Sequence, residues 1–218
     1  MINNRSNPWT ACALLLATGV WVSGVSAEPL MEPSDMLQWE RRDFTGQTGY
    51  TLAQHAGQEM LQAQCSDAAS ALYLEKTIDL RDTPILEWSW AIDRVFNGID
   101  ETQKSGDDYP VRLYVVKDGG LLVWRTRAVN YVWSSNQPVG QAWPNAYASQ
   151  AQMLALRSGA PQQNEPVTES RNVRADFQAL HGIELDSIDG LAIMTDCDSS
   201  GQPITGWYGS IRWLPATD

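Results

Sequence analysis

Histidine, cysteine and phenylalanine are scarce in this 218-residue chain, at two, three and three residues. With His55 and His181 as the only imidazoles and no H-E-x-x-H, the usual nitrogen and sulfur ligands of zinc are lacking. Neither histidine has a local partner pattern, so both read as surface or helix-end residues rather than as members of a triad. The chain has no G-x-G-x-x-G, no Walker loop and no G-x-S-x-G, which argues against bound nucleotide and against a nucleophile elbow. Basic residues are the minority charge: 15 Lys+Arg against 26 Asp+Glu give a net charge of −11. A phosphate backbone wants a basic stripe and an anionic bilayer wants a basic patch, so nucleic acid and anionic lipid are not expected partners. Hydrophobic residues at 43% and charged residues at 19% exclude wholesale disorder.

Long apolar runs are missing too, except one at the start. Arg5, the apolar stretch Ala11–Val22 and the small residues Val25-Ser26-Ala27 read as a secretory signal over 1–27, cleaved before Glu28. The stretch is short for a membrane span and no second one follows, so no integral membrane segment is expected after cleavage. Cys12 precedes the apolar run, which is the wrong side for lipidation. The expected organisation is a signal over 1–27 and a single domain over 28–218, periplasmic or secreted. In that compartment Cys65 and Cys197 can form a disulfide; sequence alone leaves two separate thiols equally open.

Short alternating runs fill the remainder. Leu86, Trp88, Trp90 and Ile92 share one face, with Glu87, Ser89 and Ala91 on the other. Val111, Leu113 and Val115 oppose Arg112, Tyr114 and Val116, and an Asp118-Gly119-Gly120 turn suggests a hairpin to Leu121–Arg125. Val129, Tyr131 and Trp133 alternate again, and 191–195 and 206–214 supply two more strands. Val173, Phe177 and Leu180 predict one helix, ended by Gly182 in a left-handed cap. Gln141–Gln152 and Ala160–Val167 read as loops. The fold class is therefore mostly β: an antiparallel, jelly-roll-like β-sandwich with one short helix.

Polar chemistry gathers in three places. Lys104, Asp107 and Asp108 precede a strand carrying Arg112 on its polar side, a set able to orient a hydroxylated ligand or to pair locally. Asp196, Asp198 and Ser200 with Gly201 match the first half of a calcium loop, but Trp207 stands where the bidentate Glu belongs. The alternatives there are a partial Ca²⁺ site and an Asx-type turn. Arg171 and Asn172 open the helix, where they can face a cleft, or cap and pair locally. Eight tryptophans follow the signal; Trp88 and Trp90 read as core, Trp143 as the best exposed candidate, and Tyr131, Trp133 and Tyr208 as ring platforms for a sugar.

The order of these motifs is also informative. K-S-G-D-D-Y-P-V-R-L-Y-V-V at 104–116, Y-V-W-S at 131–134, E-S-R-N-V at 169–173, M-T-D-C-D at 194–198 and Y-G-S-I at 208–211 resemble the bacterial family called domain of unknown function 3047, from about Asp43 to Trp213. The resemblance implies an exported protein with a sandwich body like those of carbohydrate-binding and galactose-binding-like modules. It implies that Lys104, Asp107, Asp108, Arg112, Arg171, Asn172, Asp196, Asp198 and Tyr208 are the motif's polar positions. Cys197 and Ser199-Ser200 depart from the family's habit there, which weakens the metal reading. The leading expectation is an exported module that binds a glycan or other polyhydroxylated ligand. The alternatives are a polysaccharide-cleaving or -modifying enzyme with a carboxylate pair from Asp107, Asp108, Asp196 and Asp198, and a non-catalytic envelope interaction protein.

Overall fold

A computed structural model describes residues 30–163 and 165–216, so the signal expected over 1–27 lies outside the described residues. Its strands form two sheets. The larger has seven strands in the order β1 (Glu40–Thr45), β4 (Ala69–Asp79), β11 (Ser187–Asp196), β6 (Arg112–Lys117), β7 (Arg127–Ser134), β9 (Ala151–Ser158) and β8 (Ala142–Pro144). The smaller has five: β10 (Val167–Asn172), β5 (Ile85–Ile92), β12 (Ile204–Leu214), β3 (Gln58–Cys65) and β2 (Gly49–His55). Pairing is antiparallel except between β7 and β9, which run parallel. The sheets stack into a jelly-roll-like sandwich.

The alternation read from sequence decides which side chains meet between the layers. Leu113 and Val115 of β6, Leu191 and Ile193 of β11, and Leu86, Trp88 and Trp90 of β5 all join one buried core. Trp88 packs edge-on to Trp90 at 5.2 Å and tilted against Tyr131 at 5.2 Å. Tyr208 reaches across the sandwich: its hydroxyl donates to the Met194 carbonyl at 2.6 Å and accepts the Arg112 amide at 3.2 Å. That contact fastens β12 to the β6–β11 pair of the opposite sheet. A disulfide joins Cys65, at the end of β3, to Cys197, just past β11, with Cα atoms 6.1 Å apart. It straps the same two layers at one end.

Helix α2 (Val173–His181) follows its expected limits. Asn172 is the cap, its side chain accepting from the Ala175 amide at 3.0 Å, and Gly182 ends it at φ 68°. A second helix, α1 (Pro33–Met36), went unpredicted, being four residues long and held by Glu32 and Asp35 in a capping box. Three other expectations need correction. The hairpin partner of β6 is β7, not Leu121–Arg125; those residues lie in the connection, which makes a 3-10 turn at Val123–Arg125. The run L-L-V-W lacks alternation, and Leu121 and Trp124 project into solvent. The stretch expected as loop over Gln141–Gln152 contains β8 and the start of β9. Trp143, on β8, is folded against Tyr109, Val132 and Met153 and is buried, its indole N–H donating to the Glu101 carbonyl at 3.3 Å. Pairing with Met153 across β8 and β9 turns the ring inward.

Candidate functional site

The face of the seven-stranded sheet that turns away from the core carries the other half of each alternation. Register aligns it into two rows. In one, Val132, Arg112, Met194, Ala71 and Arg42 stand opposite one another on β7, β6, β11, β4 and β1. In the next, Asn130, Tyr114, Ala192, Tyr73 and Glu40 do the same. Alanines 71 and 192 sit where neighbours carry long side chains, so the face is hollow. Two cavities occupy the hollow, of about 490 Å³ and 680 Å³, and both are lined by Phe44, Tyr114 and Met194.

The smaller cavity has the richer chemistry. Arg112 is buried in its floor. The guanidinium donates to Asp196 at 2.5 Å, lies 3.9 Å from Asp107, and is flanked by the Tyr109 and Tyr114 rings, each 5.2 Å away. Asp196 also accepts the Tyr109 amide at 3.2 Å. Burial pushes the Asp196 carboxyl well above its ordinary value; Arg112 pulls it back, and the charges of Asp107 and Asp108 push the same way as burial. Burial also raises Asp107, against the pull of Arg112. Two further atoms, Arg112 Nε and Asn130 Oδ1, are sealed from bulk water without a partner among the described residues.

The walls come from three pieces of irregular backbone. A bulge in β1 between Asp43 and Thr45 leaves Phe44 without an opposite number and puts both Phe44 and Thr45 on the cavity. Asn145 shapes the opposite wall. Its Nδ2 donates to both oxygens of Asp107 at 3.0 Å, while its Oδ1 accepts the Tyr147 and Ala148 amides at 3.0 Å, so the turn presents Tyr147. The third wall is the turn after β11. Asp108 clasps it by accepting the Ser199 amide at 3.1 Å and the Ser200 amide at 2.6 Å. Phe44 is 57% and Tyr147 63% exposed, so both rings stand free of the core on either side of the cavity. Each carries a cation on one face, Arg42 at 5.3 Å and Lys104 at 5.0 Å.

Of the residues singled out from sequence, Asp107, Arg112, Asp196 and Asp198 line this cavity, Asp108 braces it, and Lys104 reaches its rim through Tyr147. Carboxylate oxygens of Asp108, Asp196 and Asp198 lie within 4.8 Å of one another. Two of the three are already engaged, Asp196 by Arg112 and Asp108 by the turn amides, and the Ser200 hydroxyl accepts the Gln202 amide at 3.3 Å. A cation placed there would compete with a guanidinium. The rest of the sequence set lies elsewhere. Tyr131 is buried between the sheets with its hydroxyl on Asp176 at 2.7 Å, and Arg171 pairs with the same carboxylate at 3.0 Å. Trp133 is buried beside a separate cavity of about 450 Å³, its indole N–H donating to the Gly159 carbonyl at 2.9 Å. Tyr208 lies beneath the floor as the inter-sheet tie. Five lining side chains central to the site escaped sequence reasoning: Phe44, Tyr114, Asn130, Asn145 and Tyr147. Asn130 carried a usable signal, being a lone amide inside the apolar run A-V-N-Y-V-W.

No curated protein sequence matches this chain. Solved structures that it resembles include the family 30 carbohydrate-binding module of the cellulosomal cellulase Cel9D-Cel44B of Clostridium thermocellum, at 9% identity, covering 89% of this chain and 97% of that one, with a TM-score of 0.46. The family 11 module from Clostridium thermocellum, solved with a β-1,3-1,4-mixed-linked tetrasaccharide, gives 8% identity, 82% and 90% coverage and a TM-score of 0.44. A variant of the Cel12A cellulase of Rhodothermus marinus gives 8% identity, 78% and 99% coverage and 0.42. The model of the protein family of unknown function DUF3047 matches residues 37–212, and the chain belongs to that family.

Proposed function

We propose that this protein is an exported glycan-binding module and that the outer face of its seven-stranded sheet is the binding surface. The observation that carries the reading is the pair of exposed rings, Phe44 and Tyr147, standing on either side of a cavity floored by Tyr114 and a buried Arg112–aspartate cluster. Sugar rings stack their C–H faces on aromatic rings, and their hydroxyls want polar partners; Asp198 lines the cavity beside the hydrogen-bonded Asp107–Asn145 pair. The Cys65–Cys197 bridge suits an oxidising compartment, in keeping with the expected export. Among the described residues no helix is long and apolar enough to cross a membrane.

Binding is favoured over cleavage. Glycosidic carboxyls stand about 5 to 9.5 Å apart across a cleft, with room for water or for attack. Here Asp108, Asp196 and Asp198 are closer than that, and Asp196 and Asp108 already serve a guanidinium and backbone amides. The test is isothermal titration of neutral oligosaccharides of gluco, manno, galacto and xylo configuration, with and without Ca²⁺. Phe44→Ala and Tyr147→Ala, both at exposed positions, are each expected to weaken binding about tenfold while leaving the melting temperature unchanged. Absence of any binding, or binding indifferent to both substitutions, overturns the proposal.

A further inference from the structure

We infer that the 680 Å³ cavity extends the binding surface, so that the ligand is the interior of a neutral, linear glycan of about four sugar units lying across the strands. The inference rests on the glycan reading above and specifies its substrate. Three observations carry it. First, the cavities are neighbours on one face: Phe44, Tyr114 and Met194 line both. Second, the row Asn130, Tyr114, Ala192, Tyr73 and Glu40 runs straight across five strands. Its four steps of about 4.8 Å span roughly 19 Å, and an extended hexose chain advances by about one such step per unit. Tyr114 and Tyr73 are two steps apart with only the Ala192 methyl between them, which makes two ring platforms separated by a trough. Tyr73 stands opposite Glu40 across the β1–β4 pair.

Third, two of the cations along the trough, Lys117 and Arg112, already have carboxylate partners. Lys117 pairs with Asp189 at 3.0 Å, and Asp189 also accepts the Asp118 amide at 3.0 Å. Arg42 covers Phe44 and Arg112 has its terminal nitrogens turned to Asp196 and Asp107. The chain's net charge of −11 repels polyanions such as uronates and sulfated glycans.

The experiment is titration with cello-, manno-, galacto- and xylo-oligosaccharide ladders of two to six units, with oligogalacturonides as the charged control. Affinity is expected to rise at least tenfold from two to four units in the ladder that binds and then to level off, with no binding of the oligogalacturonides. Tyr73→Ala should lower tetrasaccharide affinity about tenfold and leave disaccharide affinity unchanged. Ala192→Phe, which fills the trough without removing a ring, should do the same. Disaccharide binding as tight as that of longer chains, or a tetrasaccharide affinity untouched by both variants, overturns this inference and leaves the module reading standing. Binding of the charged control overturns the neutral specificity. No binding of any ladder overturns both.

Discussion

Removing the Cys65–Cys197 bridge should cost this protein about a third or more of its stability. The two cysteines are separated by 132 residues. In the chain-entropy account, releasing a loop of that length returns roughly 17 cal/mol/K to the unfolded state, or about 5 kcal/mol at room temperature. A typical domain has only about 5–15 kcal/mol in total. For a protein of this size each kcal/mol moves the melting temperature by about 2–4 °C, so the Cys65→Ala/Cys197→Ala double variant should melt roughly 10–20 °C lower. The wild type melted in reductant should coincide with it. Because the strap constrains the unfolded chain, refolding should slow more than unfolding accelerates. A drop of less than about 4 °C, or a loss appearing wholly in the unfolding rate, would refute the entropic argument.

Other expectations follow from the buried charges. Asp196→Asn leaves the Arg112 guanidinium buried without its anion and should destabilise by about 3–5 kcal/mol at pH 7.5. Arg112→Leu leaves a carboxyl that can protonate, so its loss should be smaller and should shrink as pH falls; urea melts at pH 5 and 7.5 compare the two, and equal pH dependence refutes the asymmetry. In the wild type, burial raises Glu101, Asp107 and Asp196 above their ordinary values. The folded state then holds those protons more tightly than the unfolded one. These three carboxyls should add stability as pH is lowered towards about 4, while His55 and His181, whose pKa values burial lowers from 6.5, act in the opposite sense; in a His55→Gln/His181→Gln background, a melting temperature lower at pH 5 than at pH 7 would contradict this. Below about pH 4, Asp79, held down to about 2 by its hydrogen bond to Arg81, begins to act in the opposite sense.

The layered body was readable because alternation is a direct image of burial: Leu86, Trp88, Trp90 and Ile92 sit where a period of two puts them. The helix was readable because Asn172 and Gly182 mark its ends chemically. Trp143 was misjudged because its burial depends on which strand β8 joins, and pairing partners leave no local mark. The polar half of the site was legible as motifs, with Asp107, Arg112, Asp196 and Asp198 converging from stretches some ninety residues apart. Its aromatic half was not. Phe44 depends on a bulge and Tyr147 on the Asn145 turn, and neither has a spacing that announces it. Tyr131 and Trp133 drew attention as rings, yet their strand's inward face took them into the interior.

The bulge at Phe44 also bears on how such a surface changes over time. The floor of the trough shares its strands with the interior, so altering Arg112 or Met194 disturbs folding as well as recognition. The three walls are single insertions of backbone at the margins: one extra residue in an edge strand, one asparagine-built turn, one clasped loop. Lengthening or trimming any of them leaves the layers intact. On the glycan-binding reading proposed above, a lineage carrying this scaffold can thus exchange its ligand preference one wall at a time, without first acquiring spare stability.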